Sequence, residues 1–247
     1  ENLLAKVRME VLKLIPGFDA SKIFMNGTHT HTAPVLLSDK NDNFGYNIPK
    51  SITQPDEYTI SISRIIANGI VTAWNGRQQG SAGWGLGHAV VGYNRRAVYE
   101  DGKSVMYGDV NSGLFRNLEG GEDHNVNVLF FWNKENSLIA SIVEVACPAQ
   151  EQEMDSTVNA DFWHPVRTAL RKQFGANLCV LGCTGAAGDF SPHLMYLKKA
   201  EDRMRELRKK SRVDDIADRI VSAFNEAYYS AKEERSSDII LKQKNEK

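Results

Sequence analysis

The sequence has few cysteines, no long apolar run and no excess of charge of one sign. Three cysteines among 247 residues are too few, and odd in number, for a disulfide framework. No apolar stretch approaches the roughly 18 residues that a membrane-spanning helix requires. Thirty basic and thirty-one acidic side chains leave a net charge of −1. Because no bulk positive field is available to grip nucleic acid, we expect a globular chain that binds none.

The two ends of the chain also lack familiar features. It opens with Glu1 rather than methionine, and its first 30 residues show no signal-peptide layout. We expect either a single domain over residues 1–247 or a fragment of a longer protein. Half of residues 198–247 are charged, which predicts a solvated helix and tail. One apolar stripe should dock that helix, formed by Ile216, Ile220, Phe224 and Tyr228.

Helical and strand patterns alternate along the rest of the chain. A helix is expected in the first 14 residues, another from Pro55 onward, and a third capped by Asn159 and closed by Gly175. Strands are expected over residues 126–131 and 138–146. The second helix should turn four isoleucines inward: Ile62, Ile65, Ile66 and Ile70. This order predicts the α/β class, with a mixed β-sheet flanked by helices.

Turn-forming residues mark two connections between the predicted helices and strands. Asp101-Gly102 separates two short alternating segments, which predicts a β-hairpin. Residues 36–54 are polar and rich in turn formers, so we expect a connecting loop there.

His29-Thr30-His31 follows a short apolar run, residues 23–25, that predicts a strand. Residues i and i+2 of a strand share one face, so both imidazoles would converge there. One ring can then bind zinc while the other handles a proton, because neutral histidine ligates metal and titrates near neutral pH. The alternative is a pair of strand-end histidines bonded to backbone.

A loop of small residues spans positions 182–193 and ends near Ser191. Its glycines allow backbone amides to approach a ligand as oxyanion donors. Ser191 is close in sequence to Asp189 and His193, and is either a nucleophile or a polarising hydroxyl. The loop matches neither the Gly-x-Ser-x-Gly elbow nor a phosphate-binding loop. A tight turn whose glycines serve packing is the alternative.

Two further positions carry side chains suited to chemistry. Arg95 follows a glycine-rich segment, where a guanidinium can clamp a carbonyl or carboxylate oxygen, although solvated surface is the alternative. Cys147 ends an apolar strand, where its thiolate can ligate zinc, although a buried free cysteine is the alternative.

Taken in chain order, these segments resemble the neutral/alkaline ceramidase family over roughly residues 1–195. Within that family, the sequence resembles the shorter bacterial members more than the others. The resemblance is carried by Thr28-His29-Thr30-His31, Asn94-Arg95-Arg96, Ala146-Cys147-Pro148, Asn159-Ala160-Asp161 and Gly188-Asp189-Phe190-Ser191-Pro192. It implies a zinc-dependent enzyme that cleaves the amide bond of ceramide to sphingosine and a fatty acid. It also implies a lipid-like substrate, peripheral membrane contact and a secreted or periplasmic location.

The resemblance assigns a role to each candidate residue. It implies that His29 is a zinc ligand, that His31 handles a proton beside the metal-bound water, that Arg95 contacts substrate or oxyanion, and that Ser191 is the active-site serine. Cys147-Pro148 stands where the family has a His-Pro pair, so either the Cys147 thiolate replaces that histidine as the second zinc ligand or the metal site is altered. The family's later glutamate and tyrosine ligands have no recognisable counterpart in this sequence.

Three functional hypotheses follow from these observations. The leading one is a zinc-dependent amide hydrolase acting on an N-acyl, ceramide-like substrate. The second is a catalytically inactive lipid- or ligand-binding domain on the same scaffold, suggested by Cys147 and the missing later ligands. The third is an enzyme that acts on a different ester, amide or glycan-linked substrate.

Overall fold

The structure is a computed structural model that describes residues 2–36, 49–240 and 242. It divides into two compact units, one formed by residues 1–25, 33–78 and 240–247, the other by residues 26–32 and 79–239. Most of the expected loop at 36–54 and of the tail beyond residue 240 lies outside the described residues.

The first unit pairs two helices, α1 (Asn2–Leu14) and α2 (Pro55–Asn75), with a 3-10 turn at Ala20–Lys22. Its buried core contains Val7, Val11, Ile23 and Ala67. The Phe18 and Trp74 rings meet edge to face, with centroids 5.0 Å apart. Apolar side chains at i, i+4 spacing on α1 therefore bury one stripe against α2, as the periodicity predicts.

Helix α2 begins as expected, with Pro55 in the first turn and a capping box between Gln54 and Glu57. Its buried face differs from the prediction. Ile65 is 62 % exposed, whereas the buried residues recur every fourth position: Thr59, Ser63 and Ala67. The prediction that Ile65 turns inward was wrong, because the buried face of α2 is narrower than the face that the four isoleucines would cover.

The second unit contains nine strands and three helices. The strands are β1 (Gly80–His88), β2 (Tyr93–Asn94), β3 (Arg96–Tyr99), β4 (Ser104–Met106), β5 (Phe115–Leu118), β6 (Asn125–Asn133), β7 (Leu138–Val145), β8 (Cys179–Thr184) and β9 (Phe190–Ser191). The helices are α3 (Trp163–Phe174), α4 (Lys198–Arg208) and α5 (Arg212–Glu233).

The main sheet has the strand order β1-β6-β7-β8. The first three strands pair antiparallel, and β8 joins β7 in parallel. A parallel neighbour requires a crossover, and α3 supplies it between β7 and β8. The α/β class with a mixed sheet and packed helices is thus confirmed.

Helix α5 packs closely on strand β1. A Cβ at Gly83 would lie 2.8 Å from the carbonyl oxygen of Ala231, and Gly85 and Gly87 face Ala227 and Ala223 of the same helix. Glycine on the strand and alanine on the helix therefore permit backbone contact. The predicted stripe on α5 is confirmed, since Ile216, Ile220 and Phe224 are buried and Tyr228 packs against the same core.

A smaller sheet has the order β4-β3-β5 and contains the predicted hairpin. Gly102 has a φ of 79°, so the turn uses the left-handed region that glycine favours. The two-residue strands β2 and β9 pair antiparallel, with Tyr93 opposite Ser191 and Asn94 opposite Phe190. This short ribbon joins the candidate serine to the strand that precedes Arg95.

Helix α3 ends as predicted but does not begin as predicted. Gly175 closes it with a φ of 117° and donates its N–H to Arg171. Phe162, not Asn159, precedes the first helical residue, without a side-chain cap. The Asn159 carboxamide oxygen instead accepts hydrogen bonds from Thr32 and from the N–H of Asp161. Among the described residues, no helix is long and apolar enough to cross a membrane.

Candidate functional site

Residues 26–32 run across the ends of strands β7 and β8 as irregular chain, so the predicted strand leading to the histidines is wrong. The N–H of Ala149 donates to the carbonyl of Thr28 at 3.0 Å. The Asn26 carboxamide forms two hydrogen bonds with the backbone of Thr184, each 3.2 Å long. Side-chain and backbone bonds rather than a strand ladder therefore hold the segment in place.

The two histidines nevertheless come together. His29 has a φ of 53°, an unusual value outside glycine, and its ring centroid lies 5.3 Å from that of His31. Partial burial, together with the nearby His31 and Arg95, lowers the pKa of His29. A left-handed residue rather than strand alternation thus places both rings in one neighbourhood.

His31 forms a close pair with a carboxylate. Its Nδ1 lies 2.8 Å from Oε2 of Glu153, and both side chains are partly exposed. When Nδ1 donates to the carboxylate, Nε2 is left as the acceptor of the neutral ring. The pair therefore has the arrangement of a histidine base held by an acidic partner.

Arg95 and Ser191 meet through a residue that the sequence did not single out. The Tyr107 hydroxyl donates to Oγ of Ser191 at 2.9 Å, while Arg95 donates to that hydroxyl at 3.3 Å and to the carbonyl of Gly188 at 2.8 Å. Ser191 is fully buried and also accepts a bond from the N–H of His193 at 3.0 Å. Both acceptor positions of the serine oxygen are therefore filled.

Gln150 joins this group to the histidine pair. Its amide nitrogen donates to the Tyr107 hydroxyl at 3.0 Å and to Glu153 at 3.3 Å. The Tyr107 oxygen thus accepts hydrogen bonds from Arg95 and Gln150, and the Tyr107 hydroxyl donates one to Ser191. One continuous path of hydrogen bonds runs from Arg95 to His31.

His193 and two further acids, Glu151 and Asp161, extend this group around Glu153. His193 has its Nδ1 3.6 Å from Glu153 and its Nε2 3.4 Å from Glu151. Burial raises the pKa of Glu151 to about 7, because it outweighs the opposing cations Arg212 and Arg205. Burial also raises the pKa of Asp161, against the backbone N–H bonds that the carboxylate accepts.

The two predicted zinc ligands lie in different surroundings, because His29 is far more exposed than Cys147. Cys147 is fully buried, and its thiol donates to the carbonyl of Pro148 at 3.4 Å. Burial, followed by the nearby Asp161 and Glu151, raises the pKa of this thiol far above its ordinary range, whereas zinc binds the thiolate. Within the part of the chain that the structure describes, no three His, Cys, Asp or Glu side chains are grouped to hold a metal. Zinc dependence stays a prediction.

The structure therefore brings His29, His31, Arg95 and Ser191 into one region and adds four residues: Tyr107, Gln150, Glu151 and Glu153. One sequence signal could have pointed to two of these four. Glu151 and Glu153 form a Glu-x-Glu pattern in the segment that follows Cys147-Pro148. Tyr107 is a turn residue directly after strand β4 and has a φ of 54°, which sequence patterns do not reveal.

Known proteins resemble this chain in fold. Over 95 % of its length it superposes on neutral ceramidase from Pseudomonas aeruginosa, with a TM-score of 0.58 and 16 % sequence identity. A ceramidase complexed with C2 gives a TM-score of 0.63, with 16 % identity over 95 % of this chain. The chain spans about a third of the length of either protein, 35 % and 34 %. No protein-family model and no curated sequence matches it. This similarity is one of fold.

Proposed function

We propose that the chain carries the site of a ceramidase-like hydrolase that cleaves an N-acyl amide. The observation that carries the proposal is the 2.8 Å pair between His31 and Glu153, linked through Gln150 to Arg95 and Tyr107. A histidine base, an acidic partner and a guanidinium are the groups that hydrolysis of a carbonyl compound uses. The fold shared with neutral ceramidases supports the reaction class.

In the proposed reaction, Nε2 of His31 takes a proton from water and the hydroxide adds to the amide carbon. Arg95 stabilises the oxyanion, since only two of its five N–H donors are bonded to Tyr107 and Gly188. Collapse of the intermediate breaks the C–N bond, and His31 returns the proton to the leaving nitrogen. The products are a carboxylic acid and an amine.

Ser191 has an orienting role in this proposal. It is fully buried, and its oxygen already accepts from Tyr107 and from the backbone of His193. A nucleophile needs a reachable oxygen and a base that takes its proton. Ser191 therefore fixes the Tyr107 hydroxyl, which in turn holds Arg95.

A cavity near the site favours a lipid-like acyl substrate. It has a volume of about 640 Å³, and apolar side chains that line it include Val90, Leu118, Leu194, Met195 and Leu197. Tyr93 also lines it and pairs with Ser191 across the short ribbon. The lining of the cavity also includes the charged side chains of Glu122, Glu201 and Arg219, so the cavity suits an amphiphilic ligand with both a hydrocarbon part and a polar part. Contact with membranes and secretion are proposed from the sequence resemblance alone.

The test is hydrolysis of an N-acyl amide with a fluorescent amine. Glu153→Gln should lower kcat by about 10²-fold or more, because the imidazole loses its acidic partner. Glu135→Gln is the control, since it removes the same charge from an exposed carboxylate that pairs with Lys134 at 3.8 Å in the turn between β6 and β7. A Glu153→Gln enzyme with the wild-type rate would contradict the role of His31.

A binding domain without catalysis is the second candidate, and the burial of Cys147, which raises the pKa of its thiol, favours it. It predicts that the wild-type protein binds a non-hydrolysable N-acyl analogue and turns over no amide in the panel. Binding would persist after treatment with a chelator. Turnover of any N-acyl amide that Glu153→Gln abolishes would reject this candidate.

A further inference from the structure

Glu151 is a nearly enclosed carboxylate between two nitrogen bases. Its side chain is 7 % exposed, and one oxygen lies 3.4 Å from Nε of Arg212. The other oxygen lies 3.4 Å from Nε2 of His193. Each oxygen of the Glu151 carboxylate thus faces a different partner, so the carboxylate couples the position of Arg212 to that of His193.

His193 lies between two carboxylates and close to the base of the proposed reaction. Its other ring nitrogen is 3.6 Å from Glu153, whose second oxygen meets His31 at 2.8 Å. The chain of contacts is therefore Arg212, Glu151, His193, Glu153 and His31.

The placement of Arg212 is unfavourable for its own helix. It is the first residue of α5, directly after the cap Ser211, whose side chain accepts from the N–H of Asp214. A cation at a helix N-terminus opposes the helix dipole, which favours acidic residues there. Glu151 and Asp202 offset this cost, at 3.4 and 3.7 Å from the guanidinium. A residue that breaks a local rule in this way often serves a site.

We propose that Arg212 is a positioning residue of the site, holding Glu151 so that His193 is fixed against Glu153 and Glu153 against His31. The effect on turnover rests on the proposed function, whereas the effect on the His193 ring does not. Arg205 also faces Glu151, but it is paired with Asp202 and Glu201. Arg212 is the guanidinium in direct contact with the Glu151 carboxylate.

The test compares Arg212→Met with Arg208→Met in the full chain. Arg208 pairs with Asp215 at 2.8 Å, at the contact of α4 with α5. Replacing it removes the same charge as replacing Arg212 but leaves the contacts of Glu151 in place. The ring ¹⁵N signals of His193, assigned by their absence in His193→Gln, report its tautomer and hydrogen bonds. Steady-state kinetics on the N-acyl amide give kcat and KM separately.

Arg212→Met should shift the His193 ring signals and lower kcat about tenfold or more, with KM changed less than about twofold, because misplacement of a base costs rate. Arg212→Lys should restore part of both, and Arg208→Met should leave both unchanged. Unchanged His193 signals in Arg212→Met would overturn the proposal, as would equal shifts in both methionine variants. Wild-type protein without amidase activity would reject the proposed function alone, since the ring signals still decide the role of Arg212.

Discussion

Replacing Glu151 by glutamine should change how the stability of the protein depends on pH. Burial raises the pKa of this carboxyl from its ordinary value of 4.5 to about 7. Between these values the unfolded chain is ionised while the folded protein keeps the proton, so raising the pH favours unfolding. Because one pKa unit corresponds to about 1.4 kcal/mol, this contribution to the free energy of unfolding amounts to about 3 kcal/mol. It is fully present below pH 4.5 and lost above about pH 7.

Urea unfolding of the wild type and of Glu151→Gln, measured at intervals from pH 4 to pH 8, isolates this contribution. Titrating groups that do not interact with Glu151 contribute equally to both proteins, so they cancel in the difference of the unfolding free energies. The wild type should lose about 3 kcal/mol relative to the variant across this range. A difference that stays flat, or that grows in favour of the wild type as the pH rises, would refute the burial argument.

Three further results are expected. Gly87→Ala should destabilise the protein by about 1–3 kcal/mol in urea unfolding, because a Cβ there would overlap backbone of helix α5, whereas Gly121→Ala, with no neighbouring atom within 4 Å, should change little. Cys147 should resist alkylation in the native protein while the exposed Cys179 reacts, since the Cys147 thiol is buried and its pKa is raised; equal rates by mass spectrometry would contradict this burial. Metal analysis after incubation with zinc tests the ligand prediction: bound zinc that is lost in His29→Ala would support it, and zinc in neither protein would reject it.

Local sequence patterns predicted most secondary structure because these patterns reflect short-range physics. The period of α5, the glycine that closes α3 and the Asp101-Gly102 turn each depend on residues close in the chain. One of the predictions that were wrong, the cap of α3, concerns competition for a hydrogen-bonding side chain. Asn159 has the chemistry of a helix cap, but its side chain bonds Thr32 and Asp161 instead.

The candidate site was predicted only in part, because its residues come from distant parts of the chain. His31, Arg95 and Ser191 were recognisable from their motifs, and the structure connects all three. The partner of His31 is Glu153, which is 122 positions away in the chain. Local spacing carries no information on such a contact, because it depends on where two distant loops meet.

The sequence by itself determined the α/β class, the course of the main strands and helices, and the residue types available for chemistry. These properties follow from hydrophobic periodicity, turn residues and composition, which act within a few residues. Tertiary structure alone decided that Cys147 is a buried core thiol, that Ser191 is enclosed, and that Tyr107 and Glu153 join the site. Burial and long-range hydrogen bonding decided these points, since both depend on the packing of segments that are far apart in the chain.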